Sequence, residues 1–223
     1  MTEEPRIVRL ASVNSTQEVA RELPPGSIVV ADHQTAGRGR LDRRWEAPPN
    51  TALLASFVVA PHRLLSLAAG IAAAEACGPD VRLKWPNDLL VRGRKLGGIL
   101  VEVAGAKAVV GIGINLSAAP PGAARLNRPR DEVLDGLRSR LSHWTVAPPA
   151  EILDRWRQLS TTIGRRVRVE LPGRTIDGTA EDISEDGSLV VDGFAVSAGD
   201  VIHLRPRGPG AKSRAAPRPR GRG

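Results

Sequence analysis

Apolar positions along the chain change period several times, and each change marks an element. Ile28 to Asp32, IVVAD, and Thr51 to Val59, TALLASFVV, are short apolar runs that read as strands. Leu64 to Ala76 is rich in alanine and leucine and predicts a buried helix, stopped by Gly78-Pro79. Ser15 to Glu22 predicts a helix capped by Asn14 or Ser15 and ended by Pro24-Pro25-Gly26. Further strands are expected leading into Lys84, over Ile99 to Val103 and over Ala108 to Leu116, followed by a Pro/Gly-rich loop at 118–129. Arg130 to Leu141 and Ala150 to Leu159 predict packing helices, with Val133, Leu134, Leu137 and Leu141 at helical spacing. From 163 to 205 the pattern alternates in twos through RRVRVEL, GTAEDI, GSLVVDG and FAVSAGDVIHL, with Gly173, Gly178, Gly187 and Gly193 between the runs. Short strands with regular turns predict a small β-barrel. The expected class is α+β: helices on a mixed sheet over residues 1–162, a barrel over 163–205, and a tail at 206–223.

Composition narrows this picture. An apolar share of 41% in 223 residues supports one substantial domain and a small one. No apolar run reaches the ~20 residues that a bilayer span needs, and the polar, acidic start MTEEPRIVRL is unlike a secretory signal. One cysteine, Cys77, excludes an internal disulfide and reads as an inert core thiol, so a cytoplasmic protein with no membrane partner is expected. The net charge of +8 would suggest nucleic acid, but RPRGPGAKSRAAPRPRGRG at the C-terminus carries seven basic residues and no acidic one. Without it the chain is close to neutral, which argues against specific nucleic-acid binding. With so little to bury, that tail is expected to be disordered. His33, His62, His143 and His203 show no metal-ligand spacing.

Two segments carry the candidate chemistry. Lys84 to Glu102, KWPNDLLVRGRKLGGILVE, reads as strands folded about a turn at Gly93. That fold-back gathers Lys84, Asn87, Asp88 and Lys95 at one end of a sheet. Lysines suit phosphate and carboxylate oxygens, Asp88 and Asn87 offer hard oxygens to Mg2+, and Gly97 and Gly98 let backbone approach a ligand. Gln34 to Trp45, QTAGRGRLDRRW, hangs a Gly/Arg loop between two strands. Its backbone N–H groups and the guanidinium groups of Arg38 and Arg40 suit an anion, and Trp45 offers either a flat face for a purine or a core-packing ring. Alone, the first segment reads more readily as a solvated turn, and Arg-Gly runs like the second also occur in RNA-binding tails, although its short span between strands argues for an ordered site. Together they describe a site for an anionic, phosphorylated ligand.

In order and spacing these segments resemble the biotin protein ligases. GRGRLDRRW at 37–45 is similar to that family's GRGRxGRxW loop, and KWPNDLLVRGRKLGGIL at 84–100 to its KWPNDxxxxxxKxxGIL. GIGINLS at 111–117 and NST at 14–16 resemble two further motifs, and the likeness runs from about residue 7 to 205. Asp42 stands for the usual glycine, Gln17 for an asparagine, and Gly97 for a frequent alanine, a mild change. The resemblance implies a fold like that of biotin/lipoate ligases and class II aminoacyl-tRNA synthetases, with an SH3-like C-terminal barrel and no N-terminal DNA-binding domain. It implies ATP-dependent attachment of biotin, through biotinyl-5′-AMP and with Mg2+, to a lysine of a biotin carboxyl carrier protein or domain of acyl-CoA carboxylases. A lipoate or octanoate ligase of the same fold is the alternative. A monomer or weak homodimer is expected. By the same resemblance, Ser15, Thr16, Gln34, Arg38, Gly39, Arg40, Lys95 and Gly98 bind biotin. Trp45, Lys84, Asn87, Asp88 and Asn115 bind ATP or the adenylate, Lys95, Arg38 and Arg40 are catalytic, and Asp88 is the candidate magnesium ligand.

Overall fold

The computed structural model describes residues 6–41 and 43–204; the expected tail at 206–223 and Asp42 lie outside the described residues. The chain runs β1 (Ile7–Leu10), α1 (Thr16–Arg21), β2 (Ile28–Ala31), β3 (Ala52–Val59), α2 (Leu65–Cys77), β4 (Val81–Lys84), β5 (Asp88–Val91), β6 (Arg94–Ala104), β7 (Lys107–Asn115), α3 (Arg130–Trp144) and α4 (Pro149–Leu159). Five strands follow: β8 (Arg166–Leu171), β9 (Arg174–Ile183), β10 (Leu189–Val191), β11 (Phe194–Val196) and β12 (Asp200–His203).

Seven strands form a mixed sheet in the order β1-β2-β3-β7-β6-β5-β4, with β1 parallel to β2 and the other pairs antiparallel. Every position of β2 is buried because both faces of the sheet are covered. On one face lies α2, which is apolar on almost every side. Alanines make up much of it, so it sits close under the sheet with α3 and α4 packed behind it. On the other face α1 covers only part of the sheet, over Val29, Val58 and Val109. The rest of that face is where the cleft opens. Among the described residues no helix is long and apolar enough to cross a membrane.

The turn between β5 and β6 is a two-residue connection, Arg92-Gly93, with φ of 49° and 73°. Positive φ at both centres matches the twist of an antiparallel pair, and glycine adopts it freely. The expected barrel is corrected to an open antiparallel sheet, β11-β10-β9-β8-β12. No ladder joins β11 to β12 among the described residues. Closure needs strands long enough to tilt and stagger, and β10 and β11 have three residues each. The core of this sheet, including Val167, Val169, Ile183 and Leu189, is continuous with the core under the large sheet.

Candidate active site

Alternation along the strands decides what the uncovered face presents. Ser56 and Leu54 on β3, Gly111 and Gly113 on β7, and Gly98, Leu100 and Glu102 on β6 point the same way, since Ser56 pairs with Gly111, Leu100 with Gly111 and Gly98 with Gly113. Three glycines therefore floor a cleft with a cavity of about 280 Å³. By the same alternation Lys95 belongs on the opposite face from Gly98. A bulge places Leu89 opposite Gly97 but Leu90 opposite Lys95, which gives β6 one extra residue, Leu96. Leu96 is buried, and Lys95 is re-aimed onto the cleft side, with Nζ 2.6 Å from Asp88 Oδ1.

One end of the cleft is polar and largely buried. The Thr16 backbone N–H and hydroxyl both donate to Gln34 Oε1, at 2.7 and 2.9 Å, and Ser56 Oγ donates to Thr16 Oγ1 at 2.8 Å. The two bonds onto one oxygen orient the Gln34 amide. Ser15 Oγ is fully buried here with no partner, a position that suits a ligand's polar group.

The other end is cationic. The loop after Gln34 folds on itself: Trp45 N–H donates to Gly37 O at 2.9 Å and Gly39 N–H to Arg43 O at 2.7 Å. A Cβ on Gly37 would collide with the Trp45 carbonyl oxygen, which explains the glycine. The Trp45 indole lies against Gly113, where a Cβ would come within 2.6 Å of the ring, and Lys95 Nζ is 5.9 Å from a Trp45 ring centroid. Arg40 donates to Gly199 O at 3.3 Å, and Arg43 pairs with Asp200, so the small sheet holds the loop's far side. Burial lowers the Arg40 guanidinium from its ordinary value, while Asp200 and then Asp88 oppose the shift.

The turn carrying Lys84, Asn87 and Asp88 is fastened at several points. Trp85 N–H donates to buried Thr162 Oγ1 at 3.0 Å, Trp85 Nε1 donates to Gly187 O at 3.2 Å, and Thr161 N–H donates to Leu83 O at 2.7 Å. Asn87 Nδ2 donates to Ile99 O at 2.7 Å, which ties the turn to β6.

Of the residues singled out from sequence, Ser15, Thr16, Gln34, Arg38, Gly39, Arg40, Trp45, Lys84, Asn87, Asp88, Lys95 and Gly98 all line this one cleft. Asn115 does not. It is buried, donates to Ala124 O at 3.0 Å, and borders an adjacent hollow with His33, Gln34 and Pro120. The substitution of glycine for alanine at 97 is less mild than expected: a Cβ there would meet Gly113 O at 2.6 Å. Sequence reasoning missed Ser56, Glu102 and Asp200. Ser56 is the one polar residue inside an apolar strand, and Glu102 shares the period of Gly98, so both carried a signal; Asp200, distant in sequence, carried none.

A polar pocket running into a cationic, glycine-floored rim defines a class of protein, one that suits an anionic ligand with a polar end. Comparison with known proteins agrees. The Biotin/lipoate A/B protein ligase family matches residues 9–118, and the Biotin protein ligase C terminal domain matches residues 162–204. The biotin–[acetyl-CoA-carboxylase] ligase of Mycobacterium tuberculosis is 41% identical over 81% of this chain and 80% of its own length. The bifunctional ligase/repressor BirA of Escherichia coli is 34% identical over 77% of this chain and 63% of its own length. A biotin protein ligase from Aquifex aeolicus, solved with biotin and ATP, superposes with a TM-score of 0.76 at 28% identity, covering 90% of this chain and 99% of that one. The chain belongs to the biotin protein ligase family.

Proposed function

We propose that this chain activates biotin with ATP and transfers it, through biotinyl-5′-AMP, to one lysine of a biotin carboxyl carrier domain of an acyl-CoA carboxylase. In the first step the biotin carboxylate attacks the α-phosphate and pyrophosphate leaves. In the second the carrier lysine attacks the mixed anhydride and AMP leaves. The observation that carries this reading is the continuity of the cleft: the Thr16–Gln34–Ser56 pocket opens directly onto Lys95 and the arginine loop.

Ser15, Thr16 and Gln34 are assigned to the ureido ring, whose N–H and C=O groups need fixed polar partners. Gly98 leaves room for the chain that leads to the carboxylate. Lys95 sits where carboxylate and α-phosphate would meet, and offsets the charge that develops there. Arg38 and Arg40, with Gly39 between them, cover the adenylate, and Lys84 and Asn87 face the phosphates. Asn115 is assigned to the nucleotide by its motif, and it borders a hollow beside the main cleft. Trp45 forms the wall between the biotin and nucleotide ends.

Magnesium fits this donor set only in a limited way. Among the described residues there is no group of three or more His, Cys, Asp or Glu side chains able to hold a metal. Asp88 offers one carboxylate, which suits an ion that keeps waters and substrate phosphates as its other ligands. Bound with ATP, that ion would neutralise part of the triphosphate charge. The polar dead end of the cleft disfavours the apolar ring of lipoate. The test is ATP-dependent labelling of a purified carrier domain: labelling with biotin that excess lipoate does not compete is expected, and labelling with lipoate alone would overturn the assignment.

A further inference from the structure

Glu102 is a carboxylate of the large sheet that joins α1 to the arginine loop. It stands on β6, paired in register with Val109, on the same face as Gly98 and Leu100. Its Oε2 accepts from Arg21 at 2.9 Å and from Gln17 Nε2 at 3.1 Å, while its Oε1 pairs with Arg38 at 3.0 Å. Gln17 is itself buried and packed on Gly111, where a Cβ would come within 2.9 Å of its amide. Two of the three partners therefore belong to α1, anchored on the sheet, and the third belongs to the arginine loop.

We propose that Glu102 is a positioning residue: it holds Arg38, and with it the near arm of the 37–45 loop, over the cleft. The loop's own bonds, including the bridge between Arg38 and Arg44, hold the backbone around Arg38, while its guanidinium pairs with Glu102. Without the carboxylate a long, half-exposed arginine samples many rotamers. With it the guanidinium is restricted to an arc above the sheet, as Arg21 and Gln17 hold the carboxylate through Oε2 and leave Oε1 to Arg38. Half-exposed ion pairs contribute little to folding stability, so the effect of this contact lies in where Arg38 points. The opposite arm is held independently, by Arg40 on Gly199 O and Arg43 on Asp200. The loop is thus tethered from both walls, and Glu102 is the tether on the large sheet. The consequence for catalysis rests on the proposed biotinyl-5′-AMP intermediate: loosening this arm lets the intermediate escape.

Glu102→Gln keeps the shape and loses the charge. Arg21→Met removes a different partner of the same carboxylate and leaves Arg38 paired. Two readouts separate the possibilities. The first, on ligand-free protein, is amide exchange at Gly39 and Trp45, whose N–H groups close the loop. The second is the dissociation rate of pre-formed biotinyl-5′-AMP in a chase. Glu102→Gln is expected to raise exchange at both amides and to speed release about 10-fold, the scale of one lost charge-assisted contact. Arg21→Met is expected to change the melting temperature little, while release stays within about two-fold of wild type. Unchanged exchange in Glu102→Gln, or an equal effect of Arg21→Met on release, would overturn the positioning role. If exchange rises but the wild-type chain forms no adenylate at all, the functional reading fails while the tether stands.

Discussion

At the scale of single residues the site depends on close approach as much as on charge. Lys95 illustrates both. The bulge that inserts Leu96 turns it into the cleft, and the contact with Asp88 at 2.6 Å places its ammonium group beside the proposed metal ligand. Lys95→Ala should leave the fold intact, since the side chain is half-exposed, and should slow adenylate formation by ~100-fold or more, the range for a lost electrostatic stabiliser. Pyrophosphate release measured in the first turnover checks this; a near-normal rate would remove Lys95 from the chemistry. Gly113 shows the steric side. A methyl there meets the Trp45 indole at 2.6 Å, and neither the strand backbone nor a ring packed on it can yield cheaply. Gly113→Ala should therefore push Trp45 off the floor and weaken biotin binding by at least ~10-fold, on the scale of an overpacked contact. Calorimetry of biotin alone reads this without any contribution from ATP.

At the scale of elements, the segments that converge on the cleft are those whose chemistry is written in short spacings. KWPND and Lys95 span three consecutive strands, β4 to β6, and Arg38 to Trp45 lie in one folded loop, so local sequence was enough to name them. The bulge was invisible, because nothing in RKLGGILVE marks Leu96 as the extra residue rather than its neighbours. Asn115 was read into the site by its motif, but its amide is used by Ala124 to fasten the 118–129 loop. The barrel was read from regular glycine spacing, which registers turns but not whether three-residue strands can close. The loop's far arm likewise depends on a partner some 160 positions away, Gly199, which no local pattern could supply. Arg40→Gly removes that contact and one of the loop's charges together. It should let biotinyl-5′-AMP leak, seen as biotin on bystander lysines of an added protein such as albumin. Labelling confined to the carrier lysine would rule out a retaining role for Arg40.

At the scale of the whole molecule, the small sheet is clasped to both walls of the cleft. It holds the arginine loop through Gly199 and Asp200, and it holds the lysine turn through Thr162, Gly187 and the bonds they make with Trp85. The Thr162 hydroxyl, which accepts from the Trp85 N–H, also lies 3.2 Å from His203 Nε2 on β12. A neutral imidazole can accept the Thr162 proton there. Burial first, and then the charges of Lys84 and Arg165, push His203 down to about 4. In the unfolded chain a histidine titrates near 6.5. Above that value neither state carries the proton and His203 adds no pH dependence. As pH falls from about 6.5 to about 4 the unfolded chain binds a proton that the folded one refuses, so stability declines over that window and levels off below it. Asp182, despite its burial, and Asp177 and Asp186 are held below the usual carboxylate range, by bonds from Arg157, Arg168 and Ser184 respectively, and their losses begin only at more acid pH. His62 is also lowered by burial and would add to the same window, so the useful quantity is a difference between variants. His203→Gln keeps an acceptor for Thr162 and removes the titration. The melting temperature of the wild type minus that of His203→Gln should shrink steadily as pH drops from 6.5 to 4, and be constant above 6.5. A difference independent of pH would mean that the imidazole is not held neutral, and that the clasp between the small sheet and the lysine turn does not depend on its protonation.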